Sequence, residues 1–195
     1  MKKMPTLFQR EFDEHHRVTI HNTVTNGCEW VLNGEGNATR KFDGTCTMVQ
    51  NGHLFRRYDA KRGKPLPPDA IPCQELPDPI TLHWPCWVPV DPLDKSAKWM
   101  VKAFEAAGEL PDGTYEFCGP HVNGNPEGLE SDQFIRHGCV ELTDVPRTFE
   151  GIREYLQSHE MEGIVFHRQN GEMCKIKRTD FQIPWNNCVS KRGRA

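Results

Sequence analysis

The first clear rhythm in the chain is an alternation of period two, broken by Asn-Gly. In "GTCTMVQNGHLFRRYD", two runs rich in β-branched, aromatic and large apolar residues flank Asn51-Gly52. That arrangement predicts a hairpin with a two-residue turn. It sets Arg56 opposite Thr47 and Arg57 opposite Cys46. "EGIVFHRQNGEMCKIKR" repeats the design around Asn170-Gly171. With the same two-residue turn, Phe166 faces Lys175 and Ile164 faces Lys177. Glu162, Ile164, Phe166, Lys175 and Lys177 then share one face, and Val165, His167, Cys174 and Ile176 the other.

Period 3.6 appears twice. "DKSAKWMVKAFEAAGEL" predicts a helix capped by Asp94, buried through Trp99, Val101, Ala103 and Phe104, and ended by Gly108. "RTFEGIREYLQSH" predicts a second amphipathic helix capped by Thr148. "GTYEFCG" reads as a short strand, and "ITLHWPCWVPV" as a strand pair or a strand broken by Pro85. Residues 61–79 are rich in proline and predict a surface loop. Strands with two or three helices between them indicate an α+β fold with mostly antiparallel sheet.

Composition narrows this picture. The chain has 195 residues, 36% of them hydrophobic and 26% charged. That suits one domain with a sizeable core, or at most two small ones. An apolar run long enough to span a bilayer is absent, and "MKKMPTLFQREFDEHH" lacks the apolar stretch of a secretion signal. A net charge of −3 leaves nucleic-acid binding to local basic patches. Residues 56–64 and 191–195 are the candidates. The eight cysteines are spread singly, without a C-x-x-C pair. They read as reduced thiols of a cytoplasmic protein, and a structural zinc site is not expected.

The candidate chemistry lies in the order of short motifs. Lys41-Phe42-Asp43-Gly44 stands before the first hairpin, and "LFRRYDAK" forms its second strand. Next comes "YEFCGPHVNGNPEG", where Glu116 interrupts an apolar strand before a loop dense in Gly, Asn and Pro. "EGIVF" and "KIK" close the series. A wall carrying an acid and two cations suits a polyphosphate and its metal.

This series resembles the covalent nucleotidyltransferases, the superfamily of polynucleotide ligases and mRNA-capping enzymes. The loop after Glu116 and the His137-Gly138 pair look most like the stand-alone 5′–3′ RNA ligases of the RNA ligase 1 type. The resemblance implies a nucleotidyltransferase (ATP-grasp-like ligase) fold. It implies one adenylyltransferase domain over residues 1–195 and an ATP-dependent RNA ligase. The 18 residues after Lys177 leave no room for the OB-fold of DNA ligases and capping enzymes. A minimal DNA ligase, a capping-type guanylyltransferase, a protein modifier and a nucleotide- or RNA-binding module without turnover are the alternatives.

By the same resemblance Lys41 would carry AMP, with Lys175 and Lys177 offsetting phosphate charge. Glu162 would hold Mg²⁺ or Mn²⁺, and Glu116 would contact the ribose or help with the metal. Asp43 and Gly44 would border the nucleotide, and groups near Thr39 and Arg40 would meet the base. Arg57, with Arg56 second, would clamp ribose or an RNA 5′-phosphate. His121 and Asn123 are further candidates. Phe134, Phe117 and Phe149 are candidates for stacking on adenine. The implied partner is RNA bearing 5′-phosphate and 3′-hydroxyl ends, with no membrane and no obligate protein partner evident.

Overall fold

The computed structural model describes residues 1–15, 17–61, 63–79 and 81–185. Along the chain, strands β1 (Phe8–Phe12) and β2 (Val18–Val24) form a hairpin, followed by a single helical turn α1 (Glu29–Leu32) and β3 (Asn37–Lys41). Strands β4 (Thr45–Gln50), β5 (His53–Ala60), β6 (Ile71–Pro72) and β7 (Trp84–Pro89) come next. Helix α2 (Lys98–Ala107), β8 (Gly113–Cys118) and β9 (Gln133–Arg136) follow. The described chain ends with β10 (Glu141–Leu142), α3 (Phe149–Ser158), β11 (Gly163–His167), β12 (Met173–Lys177) and a 3-10 turn over Arg178–Phe181. All strand pairings between these elements are antiparallel. The mixed α and β character expected from the sequence is present. No described helix is long and apolar enough to cross a membrane.

The chain sorts into two compact units. One holds Met1–Lys3 and Asp43–His137; the other holds Met4–Phe42 and the chain from Gly138 onward. The second crossing between them, from Phe42 to Asp43, falls inside Lys41-Phe42-Asp43-Gly44.

The first unit is built on a six-stranded sheet of order β6-β7-β5-β4-β8-β9. Its hairpin turn behaves as expected: Asn51 and Gly52 both have positive φ, and Thr47 lies opposite Arg56. Two successive positive φ values are the signature of a type I′ turn, which matches strand twist. Tyr115 lies opposite Thr47, so Thr47, Tyr115 and Arg56 share the face on which α2 packs. Asp94 caps a 3-10 turn that leads into α2, and Gly108 ends that helix. Met100 and Ala103 are buried, with Phe104 packed against the core. Trp99 was expected inside. It lies outside at 36% exposure, stacked on His121 with ring centroids 3.6 Å apart. Pro85 neither breaks nor splits its strand: β7 runs through it, paired at Asp59. Residues 61–79 are mostly loop, but Ile71–Pro72 adds a two-residue strand beside β7.

The second unit contains the four-stranded sheet β10-β3-β11-β12 and the β1-β2 hairpin. Here the predicted register is corrected. Ile164 lies opposite Ile176, Val165 opposite Lys175, and Gly163 opposite Lys177. The pairing has slipped by one residue, because Gln169, Asn170 and Gly171 form a three-residue loop. The Gly171 N–H donates to Arg168 O at 3.0 Å, Gly171 alone has positive φ (86°), and the Arg168 N–H donates to Glu172 O. That is a type I turn followed by a left-handed glycine. A slip of one exchanges the faces. Ile164, Phe166, Cys174 and Ile176 turn inward, each 0% exposed, onto Ile152 and Leu156 of α3. Thr148 caps α3 by accepting the Gly151 N–H at 3.2 Å.

Candidate active site

In the second unit, β3 and β12 flank β11, and the register aligns their residues in rows. One row is Lys41, Gly163, Lys177; the next is Thr39, Val165, Lys175. All six positions lie on the face turned away from the Ile164–Phe166 core. Lys41 and Lys177 are thus separated by a strand whose residue has no side chain. Gly163 cannot be larger, since a Cβ there would collide with the Ile176 carbonyl. Glu162, the residue just before β11, reaches both lysines. Its Oε2 accepts from Lys41 Nζ at 2.5 Å and its Oε1 from Lys177 Nζ. Glu162 is 5% exposed.

Two ammonium groups therefore meet one carboxylate, and Lys175 feels the charge of all three. Burial, with Lys41, Lys177 and Arg10 nearby, lowers the Lys175 pKa to about 8. Arg10 comes from β1, a strand no motif singled out, and forms a 2.5 Å ion pair with Asp180. Thr39 is buried, its hydroxyl within 2.9 Å of His167 Nε2 and 3.3 Å from Val165 O. Alternation puts Arg40 on the opposite face of β3 from Lys41, where its guanidinium lies 4.8 Å from the Phe42 ring centre.

In the first unit, Gly44 is held from three directions. Its N–H donates to Glu116 Oε1 at 3.0 Å, and Asn123 Nδ2 donates to its carbonyl at 3.2 Å. A Cβ on it would strike the Phe117 carbonyl. The close approach that demands glycine is thus to the β8 backbone. The Asp43 N–H donates to Glu127 Oε1 at 2.8 Å. Asn123 therefore serves the Asp43-Gly44 turn, while His121 is held by Asp132 at 2.7 Å.

Glu116 lies on β8 between β4 and β9, opposite Cys46 on one side and Ile135 on the other. Its Oε2 is 2.9 Å from His137 Nε2. Arg57 shares this sheet face by alternation, and its Nη1 donates to Met1 O at 2.9 Å. Arg56 lies on the other face, 3.3 Å from Asp94. The three stacking candidates are committed to packing. Phe117 and Phe134 pack together in the first unit, and Phe149 contacts Phe8 and Phe181 in the second. Sequence reasoning missed Cys46, Glu127 and His167, whose partners are set by strand pairing and by a loop. Residues 191–195 lie outside the described residues, as does Arg62 within the basic stretch 56–64.

Comparison with known proteins points the same way as the motif order. The family model of RNA ligase 1 matches residues 106–192, a span that includes Glu116, Glu162, Lys175 and Lys177. RNA ligase 1 of Rattus norvegicus is 26% identical over 193 residues, covering 76% of this chain and 58% of the relative. The Pongo abelii protein of that name is 28% identical over 223 residues, covering 75% and 67%. For Danio rerio the figures are 29% over 136 residues, 53% and 42%. The chain thus spans between 42% and 67% of the length of these relatives. In its matched segment and in these relatives, the chain is similar to RNA ligase 1 proteins.

Proposed function

We propose that this chain is the catalytic nucleotidyltransferase of an ATP-dependent RNA ligase, one adenylyltransferase domain over residues 1–195, acting in RNA repair. The observation that carries the reading is the Lys41–Glu162–Lys177 arrangement beside Lys175: a buried acid holding a lysine at a strand end, in a surplus of positive charge.

Lys41 is the nucleophile. Its neutral amine attacks the α-phosphorus of ATP, a P–N bond forms, and the bond to pyrophosphate breaks. Lys175 and Lys177 stabilise the charge on the α-phosphate as it develops. AMP then passes from Lys41 to the 5′-phosphate of an RNA. A 3′-hydroxyl attacks that activated end, the phosphodiester forms and AMP leaves. Asp43, Gly44 and Arg57 border the nucleotide, Arg57 meeting ribose or RNA phosphate. Backbone groups near Thr39 and Arg40 meet the base, and Glu116 meets the ribose.

Glu162 is suited to a divalent metal, because its two oxygens already face cationic groups and a carboxylate is the donor that Mg²⁺ or Mn²⁺ selects. The metal would add positive charge at the phosphates. Glu116 suits Mg²⁺ less well, since its neighbours are a thiol and an imidazole.

The test is incubation with α-labelled ATP and Mg²⁺, without RNA, beside Lys41→Ala, with GTP as control and intact mass in parallel. Wild type gains one acid-labile AMP and Lys41→Ala gains none; 5′-phosphorylated RNAs are then joined. Should neither protein be labelled, with no AMP carried over from expression, the ligase reading fails and a binding module takes its place.

A further inference from the structure

Helix α2 buries Met100 and Ala103 in the first unit's core and presents another face to solvent. That face carries Lys98, Trp99 and Lys102, all exposed, and Lys95 is exposed in the 3-10 turn that leads into the helix. Of the chain's five tryptophans, Trp99 alone is exposed. Lys98 Nζ lies 4.8 Å from its ring centre and Lys102 Nζ 5.6 Å. The one acid of α2, Glu105, stands six residues further along, and Asp94 is taken up by Ser96 and Arg56. The face is therefore aromatic and locally basic in a chain whose net charge is −3.

The loop after β8 holds this surface in place. The His121 ring stacks on Trp99 at 3.6 Å between centroids, the planes 14° apart. Asp132 fixes that imidazole through Nδ1 at 2.7 Å and accepts the His121 N–H at 3.1 Å. Asp132 in turn lies so close to the loop that a Cβ on Gly119 would strike it. Val122 is buried in the core, and Asn125 brackets Leu129 with two bonds of 2.9 Å. Rings ordered beforehand cost little to immobilise on binding. Two residues past His121, Asn123 Nδ2 donates to Asp43 Oδ1 at 3.3 Å and to Gly44 O at 3.2 Å. One loop thus ties the stacked rings to the Asp43-Gly44 turn.

We infer that Trp99, backed by His121 and flanked by Lys98 and Lys102, docks a single-stranded segment of the RNA substrate. Bases stack on exposed aromatic rings while lysines meet the phosphates between them. Stacking on a base is stronger than an exposed cation–π contact, so a base takes the indole and the lysines turn to its phosphates. Lysines are depleted where proteins meet one another, which favours RNA over a protein partner. Bases inside a duplex are already stacked on each other, so the surface selects unpaired strand. The choice of RNA rests on the ligase reading.

The experiment uses the full chain and a fluorescein-labelled single-stranded RNA of about 12 nucleotides, with binding read by anisotropy and without ATP. Trp99→Ala should weaken binding about 10-fold or more, and Trp99→Tyr should restore most of it. Replacing Lys98 and Lys102 together by glutamine should lower the slope of log affinity against log salt by about 1.4. A duplex of the same sequence should bind more weakly than the single strand and respond less to Trp99→Ala. In wild type, photocrosslinks from 5-iodouridine in the RNA should map to Trp99 or His121, which decides the matter even if a variant unfolds. Because no ATP is used, Trp99-dependent binding beside failed AMP labelling would sink the ligase reading and leave this surface standing. Wild-type affinity in Trp99→Ala, equal affinity for duplex, or crosslinks confined to other elements would overturn the assignment and leave the face to a protein partner.

Discussion

Lys175 illustrates how a single side chain couples function to stability. Its pKa is lowered to about 8 by burial first, then by Lys41, Lys177 and Arg10. The unfolded chain keeps that proton to about pH 10.4. Between those values the unfolded state binds more protons, so this residue makes stability rise with pH from about 8 to 10.4. Below pH 8 the cost of the buried charge is present in full. Lys175→Met should therefore raise stability at pH 7 by about 1–3 kcal/mol and flatten the rise above pH 8, as read from urea midpoints across pH. Under the proposed function the same variant should lose AMP labelling, since the cation assigned to the α-phosphate is gone. A variant that is both less stable at pH 7 and fully active would contradict the role given to Lys175.

At the level of strands and turns, identical dipeptides adopt different geometries. Asn51-Gly52 has two positive φ values, whereas Asn170-Gly171 has one, at Gly171. Asn-Gly marks a hairpin in either case, but loop length is settled by what the flanking strands must bury. A two-residue loop at 170–171 would set Ile164 and Phe166 on the lysine face. The observed register instead places both in the core and lines up Lys41, Gly163 and Lys177. Gly171→Ala should cost about 1–2 kcal/mol, because an alanine resists left-handed backbone, while nothing lies within 4 Å of its added methyl. Asn170→Ala, at negative φ, should cost less. Chemical denaturation of the two variants separates these outcomes, and equal effects would count against the three-residue loop.

For the chain as a whole, two separate hydrophobic clusters matter. Leu7, Phe8, Ile152, Leu156, Ile164, Phe166 and Ile176 belong to one; Val49, Leu54, Met100, Tyr115 and Phe117 belong to the other. Phe166 is fully buried beneath the face that carries the lysines. Phe166→Ala should cost about 3–5 kcal/mol. Hydrogen exchange should accelerate first in β3, β11 and β12, and AMP labelling should fall with it. Exchange that quickened only in β4, β5 and β8 would be inconsistent with a core confined to the second unit.

Many of the candidate site residues of each unit were legible from residue order. Lys41, Glu116, Glu162, Lys175 and Lys177 stand in short motifs whose spacing survives in a linear string, and capping residues and Asn-Gly turns act over a few neighbours. The two capped helices, the first hairpin and the antiparallel character followed from such local chemistry. What could not be read was pairing between distant segments. The insertion of β11 between β3 and β12, the placing of Arg56 and Arg57 on opposite faces, the Arg10 contribution from β1, and the meeting of Cys46, Glu116 and His137 all depend on it. These contacts join residues dozens of positions apart. Sheet register is chosen by the burial of whole faces, and no short window of sequence carries that information.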